Sequence, residues 1–178
     1  PCIYDSFEDL YHSFSAHLRA KVKTICDTVI EERLIPNSAG NAWTWRPQTV
    51  CPVISLLTQG CIESGHSYFE GGPVYTVVSP HIGGAPDVVN SLFAINKLVF
   101  EEKRVCFSEL MEILKNNWQG SEELRQYVSS HYTYYGNDSD EVDAIAVRLL
   151  DDFAEMVRDC NGNYPIHFCA GVSTFGRQ

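Results

Sequence analysis

Residues 166–172, Ile-His-Phe-Cys-Ala-Gly-Val, constrain this chain most. They are apolar on both faces, the pattern of a strand inside a parallel sheet with helices on either side. Such a strand needs neighbours. The chain offers one other convincing strand, Val74-Tyr75-Thr76-Val77-Val78, which is strongly β-prone and too short for a helix. A lone pair of strands is marginal in water and cannot close a sheet. The pattern therefore predicts a segment of a larger α/β protein, with the neighbours of residues 166–172 lying outside this sequence.

The rest reads as helix. Ser6 is a plausible N-cap with Glu8 and Asp9 in the first turn, and Phe7, Leu10, Phe14, Leu18, Val22, Ile25 and Val29 follow at helical spacing. That helix should stop before Pro36-Asn37-Ser38-Ala39-Gly40, and residues 41–47 read as irregular. A second helix is expected from Val50 to Ser64, stopped by Gly65. Gly71-Gly72-Pro73 is a turn, and His81-Ile82-Gly83-Gly84 reads as a flexible loop. Further helices are expected from Pro86 to Glu102, from a Ser108 cap to Asn117, from a Ser121 cap to Ser130, and from Asp138 or Ser139 to Arg158. Val142, Ile145, Leu149 and Phe153 form the buried stripe of the last. Asn161-Gly162-Asn163 ends it, and Tyr164 to Phe175 reads as extended.

Composition mainly excludes. The formal charge of −10 argues against nucleic acid, whose phosphates demand clustered Lys and Arg. No apolar run reaches membrane-spanning length, and no basic region followed by an apolar stretch marks a signal peptide. The cysteines number seven, an odd count, with no CxxC pair, unlike a zinc site or a secreted disulfide framework. Reduced thiols in a cytoplasmic protein are the expectation. A start at Pro1 and not Met implies a processed product, a trimmed chain or an internal segment.

Several stretches carry a resemblance. Residues 90–103, NSLFAINKLVFEEK, are similar to the DSLxAIKKLVFEEK helix of glycyl radical enzymes of the pyruvate formate-lyase-like group. Gly60-Cys61-Ile62-Glu63-Ser64-Gly65 and Gly71-Gly72-Pro73-Val74-Tyr75 resemble that family's CIExG and GGAxY segments. Tyr135-Gly136-Asn137-Asp138, with Val142-Asp143 after it, resembles its KYGNDD turn, and Ser6 to Tyr11 resembles the helix after its cysteine loop. Asn90 stands where the family has Asp, and Tyr134 where it has Lys. The ending from Gly171 to Gln178 does not match that of diol dehydratases, which leaves the substrate subgroup open.

The resemblance implies that residues 1–178 are part of a single ten-stranded β/α barrel domain, mostly helical with about two barrel strands here. It implies radical lyase or formate acetyltransferase-like chemistry in anaerobic metabolism: cleavage, decarboxylation or dehydration of a small organic substrate. A glycyl radical, installed by a separate S-adenosylmethionine iron–sulfur activating enzyme, would oxidise a cysteine to a thiyl radical. No other cofactor is expected to bind. That glycine motif, RVxGY, is not in the sequence, and the cysteine loop should lie upstream of Pro1. The chain alone is therefore expected to be inactive. Expected partners are the remainder of the enzyme, the activating enzyme and a second copy in a homodimer. The alternative is an inactive scaffold or binding module derived from the same fold.

Individual residues sharpen these expectations. Cys61-Ile62-Glu63 imitates a thiyl cysteine with its acid, but residues two apart on a helix point to different sides, so the structural reading is preferred. Gly71, Gly72, Gly83 and Gly84 fit no phosphate-binding pattern. The histidines form no HxxxH or HExxH pair, and no metal site is expected. Tyr75, Val77 and Ser79 share one strand face, with His81 beyond its end. If that face points inward, these residues line the substrate cavity, with Tyr75 the better oriented polar candidate. On the other strand either His167, Cys169 and Gly171 or Phe168, Ala170 and Val172 would do the same, and alternation alone does not choose.

Overall fold

The structure, a computed structural model, describes residues 4–40 and 42–173. In chain order it contains α1 (Phe7–Arg33), β1 (Leu34–Pro36), β2 (Trp43–Trp45), α2 (Pro52–Leu57), α3 (Cys61–Ser64), a single 3₁₀ turn (Tyr68–Glu70), β3 (Val77–Val78) and β4 (His81–Gly83). Then follow α4 (Ala85–Ile95), which continues as a π-helical turn (Asn96–Glu101), α5 (Phe107–Lys115), α6 (Glu122–His131), α7 (Asp140–Arg158), β5 (His167–Phe168) and β6 (Gly171–Ser173). The chain is mostly helical with a few short strands, as expected, and divides into two compact units.

The first unit holds residues 4–17 and 83–152. Ser6 caps α1 as its sequence suggests: its hydroxyl accepts from Asp9 N at 3.2 Å and donates to the Asp9 carboxylate at 2.7 Å. The core is built from Leu10 and Tyr11, from Val89, Leu92 and Phe93 of α4, and from Val142, Ala146 and Leu149 of α7, all buried. Leu98, Val99 and Leu110 form a neighbouring apolar cluster, with Trp118 and Val128 packed against it. The helix expected from Pro86 to Glu102 is regular only to Ile95. Its last turn widens, and Glu102 N donates to Lys97 O at 2.8 Å, five residues back. The two family departures have local work. Asn90 Oδ1 accepts from Tyr135 N at 2.9 Å, and the Tyr134 hydroxyl donates to Val128 O at 2.6 Å.

The second unit holds residues 18–82 and 153–173. Here Cys26, not Ile25, faces the core with Val22, while Ile25 is exposed. The expected irregular stretch at 41–47 contains a strand instead. β2 pairs antiparallel with β1 in the register Leu34↔Trp45, Ile35↔Thr44 and Pro36↔Trp43, and the Trp43 indole donates to Asn163 O at 2.7 Å. The single helix expected from Val50 to Ser64 is two helices. Gly60 breaks it with φ 100°, and a Cβ there would meet Gly72 O and Val74 N at 2.7 Å. Gly65 stops α3 in the left-handed region, as its sequence suggests.

The strand at 166–172 does find a neighbour within the chain. β3 and β5 pair in parallel, Val77↔His167 and Val78↔Phe168. The amides of His167, Cys169 and Gly171 donate in turn to Thr76 O, Val78 O and Pro80 O at 2.9, 3.1 and 2.9 Å. β4 pairs with β6, so the loop expected at 81–84 is mostly strand. Both strands are shorter than their apolar runs, because each is interrupted between its two paired pieces. Nor is the second strand covered on both sides. Ile166 and Phe168 are buried, while His167, Cys169 and Val172 are exposed. The extended run expected to reach Phe175 lies outside the described residues beyond Ser173.

Candidate functional site

The parallel ladder has one covered and one open face. Ile82, Ile166 and Phe168 are buried on the covered side, Phe168 at 2% exposure. Tyr75, Val77, Ser79 and His81 of one strand and His167 and Cys169 of the other are all exposed, Tyr75 at 83%. Period-two alternation thus gathers the six candidate residues on the open side. It associates Tyr75 and His81 with the set containing His167, Cys169 and Gly171, and puts Phe168 on the covered side.

Within this face two polar side chains are fixed across the ladder. Ser79 Oγ donates to Cys169 O at 2.9 Å, and His81 Nδ1 lies 2.5 Å from Ser173 Oγ. Gly171 sits beneath both. A Cβ at Gly171 would stand 2.6 Å from His81 Cδ2 and Nε2 and from Ser79 Oγ, so only glycine leaves the imidazole this place. With Nδ1 engaged by a hydroxyl, Nε2 is the nitrogen available to a small polar ligand, as donor or acceptor according to tautomer. Ser173 was not legible as a partner from the sequence. The signal was its parity with Gly171, two residues earlier on the same strand.

Cys61 and Glu63 do not form a second site. Cys61 is 4% exposed on α3, with its sulfur against Gly72, where a Cβ would come within 2.8 Å. Glu63 turns the other way, and its carboxylate accepts from Gly60 N at 3.0 Å, closing the first turn of that helix. Thiol and acid are thus occupied separately.

A polar knot in the first unit was not anticipated. Glu102 accepts from the hydroxyls of Tyr127 and Tyr132 at 2.9 and 3.0 Å and from Arg104 Nε at 2.7 Å. Burial pushes its carboxyl up, but the hydrogen bonds from Arg104, Tyr127 and Tyr132 outweigh that and hold it below the usual range. The Arg104 guanidinium lies 3.8 Å from the centre of the Tyr127 ring, and the His131 imidazole stacks on the same ring at 4.4 Å. The Glu102 carboxylate, both phenol hydroxyls and Arg104 Nε are turned toward one another, which suits a structural clasp.

Comparison with known proteins identifies relatives. A family model described as pyruvate formate lyase-like matches residues 3–177. The (2S)-3-sulfopropanediol dehydratase of Klebsiella oxytoca is 32% identical over 155 residues, covering 86% of this chain and 18% of that protein. The trans-4-hydroxy-L-proline dehydratase of Clostridioides difficile is 27% identical over 172 residues, covering 93% of this chain and 20% of that protein. Among solved structures, the glycerol-bound B12-independent glycerol dehydratase from Clostridium butyricum superposes with a TM-score of 0.75 at 27% identity, over 94% of this chain and 20% of its own. The chain thus spans about a fifth of the length of these relatives.

Proposed function

We propose that this chain, which belongs to the pyruvate formate lyase-like family over residues 3–177, is the part of a glycyl radical eliminase that presents one wall of its substrate cavity. The complete protein would expel a small group, such as water, from a small polar organic molecule. The reading is supported by relatives that are dehydratases, and it carries their chemistry over as a proposal. The observation that carries the assignment of the wall is the open face of the ladder, where Tyr75, Ser79, His81, His167 and Cys169 stand together on strands whose other side is packed.

In this reading the family's radical abstracts a hydrogen atom from the substrate, and this chain's residues do the positioning and the proton handling. His81 is held by Ser173 and offers Nε2 to the departing group, which leaves more easily when it accepts a hydrogen bond or a proton. Tyr75 orients a substrate hydroxyl or acid while its ring fills volume. The radical cysteine and glycine belong to other segments of the protein, since the Cys61–Glu63 pair is committed to packing and capping. The remaining barrel strands would cover the open face. The whole would be a cytoplasmic homodimer served by an activating enzyme. Among the described residues no helix is long and apolar enough to cross a membrane.

The test is steady-state kinetics of Tyr75→Phe and His81→Gln in the complete, activated protein. The proposal expects a raised KM or altered substrate preference for Tyr75→Phe. For His81→Gln it expects kcat lowered by about two to four orders of magnitude, the usual weight of an acid–base group. Unchanged kinetics in both, with the radical formed normally, would remove this face from the cavity.

A further inference from the structure

The connection from α7 to β5 is built around Asn161, which the sequence marks only as part of a helix stop. Arg158 is the last residue of α7, and its carbonyl is among those that a helix leaves without an intrahelical donor. Asn161 Nδ2 donates to Arg158 O at 3.2 Å and, with its other hydrogen, to Phe168 O at 3.0 Å. Its Oδ1 accepts from Phe168 N at 2.8 Å. Only this orientation of the amide serves all three bonds: turned over, its oxygen would meet two carbonyls and its NH₂ would meet an N–H. His167 N and Cys169 N donate toward β3, so Phe168 N and O, one residue out of step, point to the opposite edge. A next strand would offer one acceptor and one donor there, and Asn161 offers both from a single side chain. The turn that carries Asn161 is itself anchored. The Tyr164 and Phe168 rings pack edge to face at 6.1 Å, and a Cβ at Gly162 would stand 2.8 Å from the Tyr164 ring.

We propose that Asn161 is a positioning residue for the open face of the ladder: its amide stands in for a neighbouring strand at Phe168 and so fixes His167 and Cys169, the residues on either side, where they meet a substrate. This rests on the reading of that face as a cavity wall. Asn161 touches no substrate and acts through the backbone of β5. Because Nδ2 also holds the carbonyl of Arg158, the clasp ties the end of α7 to the height of the strand. Phe168 is buried beneath the ladder, so a shift of its backbone is felt by His167 and Cys169, which are exposed on the other side. His81 is held separately by Ser173. Loosening Phe168 therefore weakens the binding of substrate against β5 and leaves the proton handling at His81 in place.

The experiment uses the complete protein as wild type, Asn161→Ala and Asn161→Asp. Hydrogen–deuterium exchange, read by mass spectrometry with fragmentation that resolves the Phe168 amide, is set beside steady-state kinetics of the activated protein. In Asn161→Ala the Phe168 amide should exchange about tenfold faster or more than in wild type, as one lost hydrogen bond implies. KM should rise several-fold with kcat nearly unchanged, which marks lost binding and not lost chemistry. Asn161→Asp keeps an acceptor for Phe168 N but sets a carboxylate oxygen against the Phe168 carbonyl. It should hold the Phe168 amide protected and still raise KM, and where the alanine variant does not fold, an unchanged KM in Asn161→Asp overturns the proposal. A Phe168 amide exchanging at the wild-type rate in Asn161→Ala means that another strand holds this edge in the complete protein, which overturns it as well. So does a loosened Phe168 amide with unchanged KM while Tyr75→Phe and His81→Gln alter the kinetics. If all three of these variants leave the kinetics unchanged, the cavity wall itself has failed, and the proposal falls with it.

Discussion

The Tyr11 hydroxyl donates to the Asp152 carboxylate at 2.7 Å, joining residues 141 apart in sequence. Arg148 completes the arrangement from the same helix as Asp152. Its guanidinium lies 3.8 Å over the Tyr11 ring and grips Glu8 through two hydrogen bonds of 2.8 and 2.7 Å.

Tyr11→Phe should lower stability by about 1–3 kcal/mol, since it removes one hydrogen bond and leaves a carboxylate without its donor. Thermal melting of the complete protein checks this. Burial first, and the bond to Asp152 second, raises the Tyr11 hydroxyl far above the ordinary phenol value. A raised acid stabilises the fold fully below the unfolded value of about 10 and progressively less above it. The variant should therefore lose less stability than wild type on moving into that alkaline range.

Glu8 gives the opposite pH signature. The hydrogen bond from Arg148 holds its carboxyl below the usual carboxylate value. The depressed group stabilises above the unfolded value of about 4.3 and loses this as pH falls through its folded value. Because Glu8 is largely exposed, Glu8→Gln should cost only about 0.2–1 kcal/mol at neutral pH. The wild-type and variant denaturation midpoints should converge in acid.

Gly171→Ala should impair turnover without unfolding the protein. The added methyl must displace the His81 ring or Ser79, and a tenfold loss in kcat/KM corresponds to about 1.4 kcal/mol of transition-state stabilisation. Kinetics alongside a melting curve distinguish a displaced imidazole from a damaged fold.

Cys61→Ala should leave activity largely intact and lower stability by about 1 kcal/mol through lost packing. Loss of turnover with the melting temperature unchanged would mean that Cys61 takes part in the chemistry.

The isolated chain, incubated with an activating enzyme and S-adenosylmethionine, should show no glycyl radical doublet by electron spin resonance. Its sequence has no RVxGY motif. A doublet from these residues would contradict the assignment of the radical glycine to another segment.

Local signals were read well where the physics is local. Ser6 caps α1 through its hydroxyl and Gly65 ends α3, because each satisfies or terminates backbone within a turn, while Ser121 takes the N-cap position of α6 without a side-chain cap hydrogen bond. The hairpin of β1 and β2 escaped notice because Leu34 to Pro36 follows the helix without a break and Asn41 to Trp45 has no alternation long enough to read. Gly60 looked tolerable inside a helix, and only the approach of Gly72 and Val74 from another part of the chain explains the break. The six candidate residues were nameable from strand parity. Which parity is open depends on what covers Phe168 and Ile166, and that is a property of the folded unit and not of the strand. Ile25 and Cys26 are adjacent on α1 and point about 100° apart, so burial of Cys26 with Val22, four residues earlier, leaves Ile25 exposed.

The parallel ladder also sets a timetable. Ser79 and Cys169 face each other across it from positions 90 residues apart. A ribosome adding about 5–20 residues per second needs roughly 5–20 s to bring out the second strand after the first. For that interval β3 has synthesised but unpaired edge groups beside exposed Val74, Tyr75 and Val77, and a nascent chain in that condition is a natural client for chaperones.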